Sequence, residues 1–384
     1  MRSRAAAACA VPRKPPALSV PSADRINTLR RVAETLAIAA AGGAALGLIG
    51  LPAGYLSGAI LVAAAAALAG RPLLMPQLLT RAIFVVIGIS LGAVVSPQTL
   101  QGMASYPLSI AVLIVAMLGV SLGAAAYLYL VHRWPPLSAY LAASPGGMSQ
   151  VLVLAAELDA DLRGVAVVQT MRVVIIAVGL PAGLSLLGFA GHAMRPGNGP
   201  LSFALADELA ILVAVSTLVA LVAFRFRFPG GLLFGAMFGS AALHGSGLIH
   251  AVVPVWVANL AMMALGGVIG ARFANTAPRL LVDYLAAAFG SFAVAVTIAT
   301  LFAAVAINMM ALPVPEVVIA YAPGSVDAMM LLALALHLDP VFVGAHHVMR
   351  IIFVSVVMPL VARRLARTPA AALKAPREPP TFQD

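Results

Sequence analysis

Apolar residues in this chain neither alternate nor follow a single helical stripe; they run on without interruption. The stretch LSIAVLIVAMLGVSLGAAAYLYLV, from Leu108 to Val131, is typical. Runs near 20 residues fit the length a helix needs to cross a bilayer core of about 30 Å. A barrel would instead show alternation over segments of about 10 residues. Unpaired backbone groups cannot face lipid, so such runs predict helices. Twelve apolar segments are legible, and they fall into two sets. The first set covers 32–49, 55–69, 78–95, 108–131, 137–156 and 165–189, and the second covers 209–224, 232–243, 252–271, 284–307, 317–336 and 341–361.

The two sets share more than their spacing. SPGGMSQVLVLAAELDADLRGVAVVQTMRVV begins at Ser144, and APGSVDAMMLLALALHLDPVFVGAHHVMRII begins at Ala322. Pro145 falls on Pro323, Asp161 on Asp339, Met171 on Met349 and Arg172 on Arg350, each at an offset of 178 residues. PAGYLSGA from Pro52 matches PGGLLFGA from Pro229, and Gly92 falls on Gly270. Markers in one order at nearly one offset indicate an internal duplication.

Arginine placement bears on how the copies are related, because an odd number of crossings per copy turns the second upside down. Suppose that the segments broken by SPGG and APGS enter the membrane and return on the same side. Arg71, Arg81, Arg133, Arg225, Arg227, Arg272, Arg279 and the terminal RRLAR then all fall on the cytoplasmic side, with both chain ends. The expected fold is therefore an all-α polytopic membrane protein of two inverted repeats. Each has about five transmembrane helices and one re-entrant or discontinuous helix broken at Pro-Gly. The expected divisions are a basic tail at 1–31, repeats at 32–190 and 208–362, a loop at 191–207 between them and a second tail at 363–384.

Composition agrees: 62% of the 384 residues are hydrophobic and 9% are charged. The net charge of +10 raises the question of nucleic acid. Residues 1–31 hold seven basic side chains, but no folded DNA-reading motif accompanies them. They read as a flank obeying the positive-inside rule, so the expected partners are the lipid bilayer and a small solute, with no direct nucleic acid. A homo-oligomer is left open. The short AAAACAV stretch, followed by Pro and Lys, does not resemble a signal peptide. Cys9 is the one cysteine, so neither an internal disulfide nor a cysteine metal cluster is expected.

Proline and glycine inside an apolar segment break the helical hydrogen-bond ladder and free carbonyls and amides that must line protein or water. Two such breaks meeting at mid-membrane would form a binding site from half-helix ends. The residues expected to contact a solute are Pro145, Gly146, Gly147, Ser149 and Gln150 in the first copy, with Pro323, Gly324, Ser325 and Asp327 in the second. Ionisable groups inside membrane segments are costly and are candidates for function. That set is Asp161, Gln169, Arg172, Asp339, His346, His347 and Arg350. The arginines could pair with Asp161 and Asp339 or with freed carbonyls at the breaks. Glu157 and Asp161 would share a face if one helix carries both. No metal site or cofactor is expected.

The doubled Pro-Gly segments followed by D and M-R, with the paired P-x-G-x-L-x-G-A segments, resemble the AbrB-type bacterial membrane proteins. The resemblance covers about residues 30–364. It implies a multi-pass inner-membrane protein, associated in one member with regulation of gene expression; members have also carried the label ammonia monooxygenase. The architecture is also similar to that of the cation/proton antiporter and anion transporter group. Three functions follow as expectations: a secondary transporter of a small solute, an anion by the half-helix N-termini and arginines or equally a cation by Asp161, Asp327 and Asp339; a membrane-embedded regulator acting indirectly; and, last, a copper enzyme. The enzyme would need clustered imidazoles. His132, His192, His244 and His250 are scattered, and only His337, His346 and His347 lie near one another.

Overall fold

The computed structural model describes residues 22–51, 53–94, 106–145, 148–188, 206–228, 230–274 and 278–367. Among them are fourteen α-helices and no strand. The first seven are α1 Ser22–Leu48, α2 Gly54–Leu68, α3 Gln77–Gly92, α4 Tyr106–Leu130, α5 Pro136–Ala143, α6 Met148–Glu157 and α7 Leu162–Leu186. The second seven are α8 Ala206–Arg225, α9 Gly231–Gly245, α10 Val255–Gly270, α11 Pro278–Met310, α12 Val314–Tyr321, α13 Val326–Ala335 and α14 Pro340–Ala366. Helix α1 starts ten residues before the expected first repeat, so its basic opening belongs to the helix rather than to a tail.

The duplication reaches the backbone. Left-handed residues recur at matching places: Arg133 with Ala311 and Asp159 with His337 at an offset of 178, and Ala53 with Gly230 at 177. Most of these are not glycine, and each such residue costs about 1–2 kcal/mol. The turn geometry has therefore been kept while the residue that would make it easy has not.

Among the described residues seven helices are long and apolar enough to cross a membrane. Helix α4 shows how they pack. Its inner face carries Ser109, Leu113, Ala116, Met117, Val120, Ala124 and Leu128, while Leu108, Val115, Leu118 and Leu122 stay exposed. Both faces are apolar, and the smaller side chains are concentrated inward. In lipid that arrangement favours association through close backbone approach rather than through water exclusion.

Small residues also report the direction of packing. A Cβ on Gly119 of α4 would meet Ile298 and Phe302 of α11, and one on Gly123 would meet Ile298 and Val294. Numbers rise along one helix as they fall along the other, so α4 and α11, equivalent helices of the two repeats, run antiparallel. The repeats are inverted. Two further contacts are exchanged between them: Gly88 and Gly92 of α3 lie against α9, while Gly266 and Gly270 of α10 lie against α2. These glycines correspond at an offset of 178 and form two small-xxx-small faces. Helices α1–α3 and α8–α10 thus pack together, and α4–α7 pack with α11–α14; Ser57 of α2 joins the two groups by donating to the Ala177 carbonyl of α7 at 3.1 Å.

Candidate functional site

The two broken segments are hairpins, and their bases show it. The Asp161 amide, just beyond α6, donates to Ser138 Oγ in the first turn of α5 at 3.0 Å. The chain therefore returns to the level at which it entered. In the second copy the Glu316 carboxylate of α12 faces the Asp339 amide beyond α13, closing the same loop with a different side chain.

Asp161 and Asp339 then start the next helices as N-caps, accepting from Gly164 at 3.1 Å and from Val341 at 2.8 Å, respectively. The expected shared helix face of Glu157 and Asp161 is corrected by this geometry: α6 ends at Glu157, Asp159 takes a left-handed φ of 53°, and Asp161 opens α7. Each cap also receives a hydroxyl from the opposite repeat. Tyr284 donates to Asp161 at 3.0 Å and Tyr106 to Asp339 at 3.2 Å. These tyrosines are themselves equivalent, 178 residues apart.

Arg172 and Arg350 each lie ten residues beyond the first residue of their helices, about 15 Å along the axis and near the middle of a 30 Å core. There they meet the hairpin tips. Pro145 and Pro323 have no N–H for the carbonyls of Leu141 and Ile319, four residues earlier, so the breaks expose acceptors. Gln169 donates to the Leu141 and Ser144 carbonyls at 3.0 and 2.9 Å. Arg172 donates to Ala143 and Ser144 at 3.0 and 2.9 Å and also contacts the Gln169 amide oxygen. Arg350 donates to the Ala322 and Gly324 carbonyls at 2.6 and 2.8 Å.

Of the two pairings open to the arginines, the structure has the carbonyls. Both guanidiniums are buried, at 5% and 2% exposure, and among the described residues neither has a carboxylate within bridging distance. They also stand near enough to repel one another. The second tip is less satisfied than the first: Arg350 Nε and both nitrogens of fully buried His347 have no hydrogen-bond partner among the described residues. His346 is bonded twice, to the Phe342 carbonyl at 2.7 Å and to Ser109 Oγ at 2.8 Å. Tyr321 reaches the Ser109 carbonyl at 2.6 Å.

The remaining expected residues divide. Pro145, Pro323 and Arg350 share the wall of one small gap between the tips. An apolar cavity of about 250 Å³ adjoins Tyr321, Ala322 and Pro323. Ser325 is used as the N-cap of α13, accepting from Ala328 at 3.3 Å. Gln150 turns away from the tip and accepts from Ser355 at 3.3 Å, so it does not join the crossing. Asp327 lies in the wall of a separate open cavity. Gly146, Gly147 and the Ser149 side chain lie outside what is described. Sequence reading missed Tyr106, Tyr284, Ser109 and Tyr321; the offset of 178 was available as a signal for the first two.

Among the described residues no three His, Cys, Asp or Glu side chains gather as metal ligands would.

Similarities to known proteins span most of the chain. A Bacillus subtilis (strain 168) protein named "Uncharacterized protein YhjN" is 24% identical over 346 residues, covering 84% of this chain and 90% of its own length. An Escherichia coli (strain K12) protein named "Putative regulator AbrB" is 26% identical over 325 residues, covering 82% and 90%. The family model described as "Transition state regulatory protein AbrB" matches residues 55–366, from the start of α2 to the end of α14, so the chain belongs to the AbrB family.

Proposed function

We propose that this protein is a secondary transporter of the bacterial inner membrane, moving a small anionic solute through the crossing of its two hairpins, with both chain ends in the cytoplasm. One observation carries the reading: two arginines held at mid-membrane depth without a neutralising carboxylate. Their positive charge is costly there, and a transient anion between the tips would relieve it. Gly324 and the unpartnered Arg350 Nε and His347 are the surfaces such a solute would meet. The inverted repeats provide the means for access from either side, by one group of helices rocking against the other.

The second reading, a membrane-embedded regulator, is favoured by the family description and by the name of the E. coli relative. It fits the same site if the effect on transcription is indirect, through the level of the transported solute.

Metabolite comparison of deletion and overexpression cells, followed by uptake of enriched anions into proteoliposomes, tests the proposal. Gly324→Val is the informative variant. Its new Cβ would lie 2.9 Å from the methyl end of Met329, which can move, so the fold should survive while solute approach is blocked. Monodisperse Gly324→Val protein with undiminished uptake would overturn this reading of the site.

A further inference from the structure

Away from the hairpin crossing, the molecule holds a cavity of about 780 Å³ where the start of α3 meets the end of α8 and the start of α9. Its rim carries Arg81, Arg225 and Arg227. All three are exposed, and among the described residues none is in an ion pair, whereas Arg71 on a neighbouring loop is bonded to Glu34 at 3.2 Å. Arg81 lies 5.0 Å over the Phe224 ring, which holds its charge at the mouth. The walls below are apolar, formed largely by phenylalanine and leucine of α3, α8 and α9. Asp327 is the one acid among the lining residues, and it feels the attraction of Arg272, so an incoming anion is not opposed by an isolated negative charge.

Basic residues on this side of a membrane are expected from topology alone. A cavity is not. None of the three arginines has an echo in the other repeat: Asn259 stands where Arg81 would recur, and Leu48 and Gly50 where Arg225 and Arg227 would. The uncapped start of α9 opens on the same space and adds the partial positive charge of a helix N-terminus.

We propose that this cavity is a binding site for an amphiphilic anion, its charged head held by Arg81, Arg225 and Arg227 and its apolar portion laid against the phenylalanine wall. A carboxylate or phosphate head would pair with the guanidiniums bidentately. Two sources offer that chemistry: a soluble organic anion from the cytoplasm, or an anionic phospholipid from the inner leaflet. The site stands whether or not the hairpin crossing carries solute, and its test reads binding rather than transport.

The test uses full-length protein in phosphatidylcholine nanodiscs, with octanoate as the soluble probe and 1-octanol as its uncharged control; nanodiscs containing phosphatidylglycerol form the lipid arm. Wild-type protein should melt higher with octanoate or with phosphatidylglycerol, by on the order of 2–4 °C, through preferential binding to the folded state. The shift should vanish in Arg81→Gln/Arg225→Gln/Arg227→Gln and return in the triple lysine variant, while octanol affects all three equally. The arm that responds identifies the source. No charge-dependent shift in either arm, or a shift of the same size in the glutamine variant, would overturn the proposal. The residues are exposed, so the variants should fold; if the triple glutamine protein is not monodisperse, Arg225→Gln alone should reduce the shift by at least half.

Discussion

The two hairpins have one backbone plan and two chemistries. In the first, Gln169 bonds the carbonyl freed by Pro145 and shares the Ser144 carbonyl with Arg172. In the second, His347 stands where Gln169 would and bonds neither the Ile319 nor the Ala322 carbonyl. The arginine responds to that vacancy. Arg172 takes the carbonyls of residues 143 and 144, whereas Arg350 takes those of 322 and 324, which correspond to 144 and 146. It reaches across its tip to the Gly324 carbonyl, while the Gly324 amide also bonds the Ala322 carbonyl at 2.8 Å. Among the described residues the first hairpin has no buried side-chain donor without a partner, and the second keeps unsatisfied donors, each costing about 1–3 kcal/mol when buried. A site that must change partners during a cycle is better built from the second kind.

The comparison fails outright if the copies are not inverted. Single cysteines in a Cys9→Ala background, placed at 158–163 and at 337–343, should label from opposite faces of the membrane. Labelling from one face would remove the inverted relation between the hairpins.

The arginines should give the next largest effect, and a matched one. Arg350→Ala leaves the Gly324 carbonyl without its arginine while Ala322 keeps the Gly324 amide, and Arg172→Ala leaves the Ala143 carbonyl without its arginine while Ser144 keeps Gln169. At about 1–3 kcal/mol per orphaned group, the two variants should lose similar stability in thermal unfolding. A large difference would mean that the two tips depend unequally on their arginines.

Exchanging the distinguishing residue sharpens this further. His347→Gln should supply the missing carbonyl donor and raise stability by about 1 kcal/mol while slowing transport; Gln169→His should lower stability by a similar amount. Unchanged uptake by a stabilised His347→Gln protein would show that the asymmetry serves packing alone.

The smallest effect concerns the part that the repeats share. Tyr106→Phe and Tyr284→Phe each remove one hydroxyl from a capping aspartate, at a cost of about 1–2 kcal/mol. The two losses should match. A large difference would place Asp161 and Asp339 in different roles.

The legible part of the fold was whatever occurs twice. The Pro-Gly breaks, the glycine faces and the arginines stood at a constant offset, and the physics of a broken ladder then pointed to re-entrant hairpins. The capping aspartates were harder: the break between the apolar segments 137–156 and 165–189 was visible, but no glycine marks the left-handed turn at Asp159 that makes Asp161 a cap. The meeting of Tyr321 and Ser109 with His346 was beyond reach for a different reason. Their counterparts are Ala143, Ala287 and Val168, so their convergence has no echo, and Ser109 is 212 residues from Tyr321. The rim of the basic cavity is likewise single-copy; its arginines read as topology, and only packing shows that they surround a space.

The exchanged tyrosine contacts also bear on how the molecule is made. Tyr284 follows Asp161 by 123 residues, which at 5–20 residues per second leaves that aspartate without its partner for on the order of ten seconds of synthesis. During that interval the first half sits in the membrane with its glycine faces uncovered. Neither half is therefore a folding unit, and separately expressed halves should survive only when made together. A chain of half this length could cover the same surfaces only with a second copy inserted the other way up, so the joined gene fixes within one polypeptide an orientation that a shorter ancestor would have had to leave to chance.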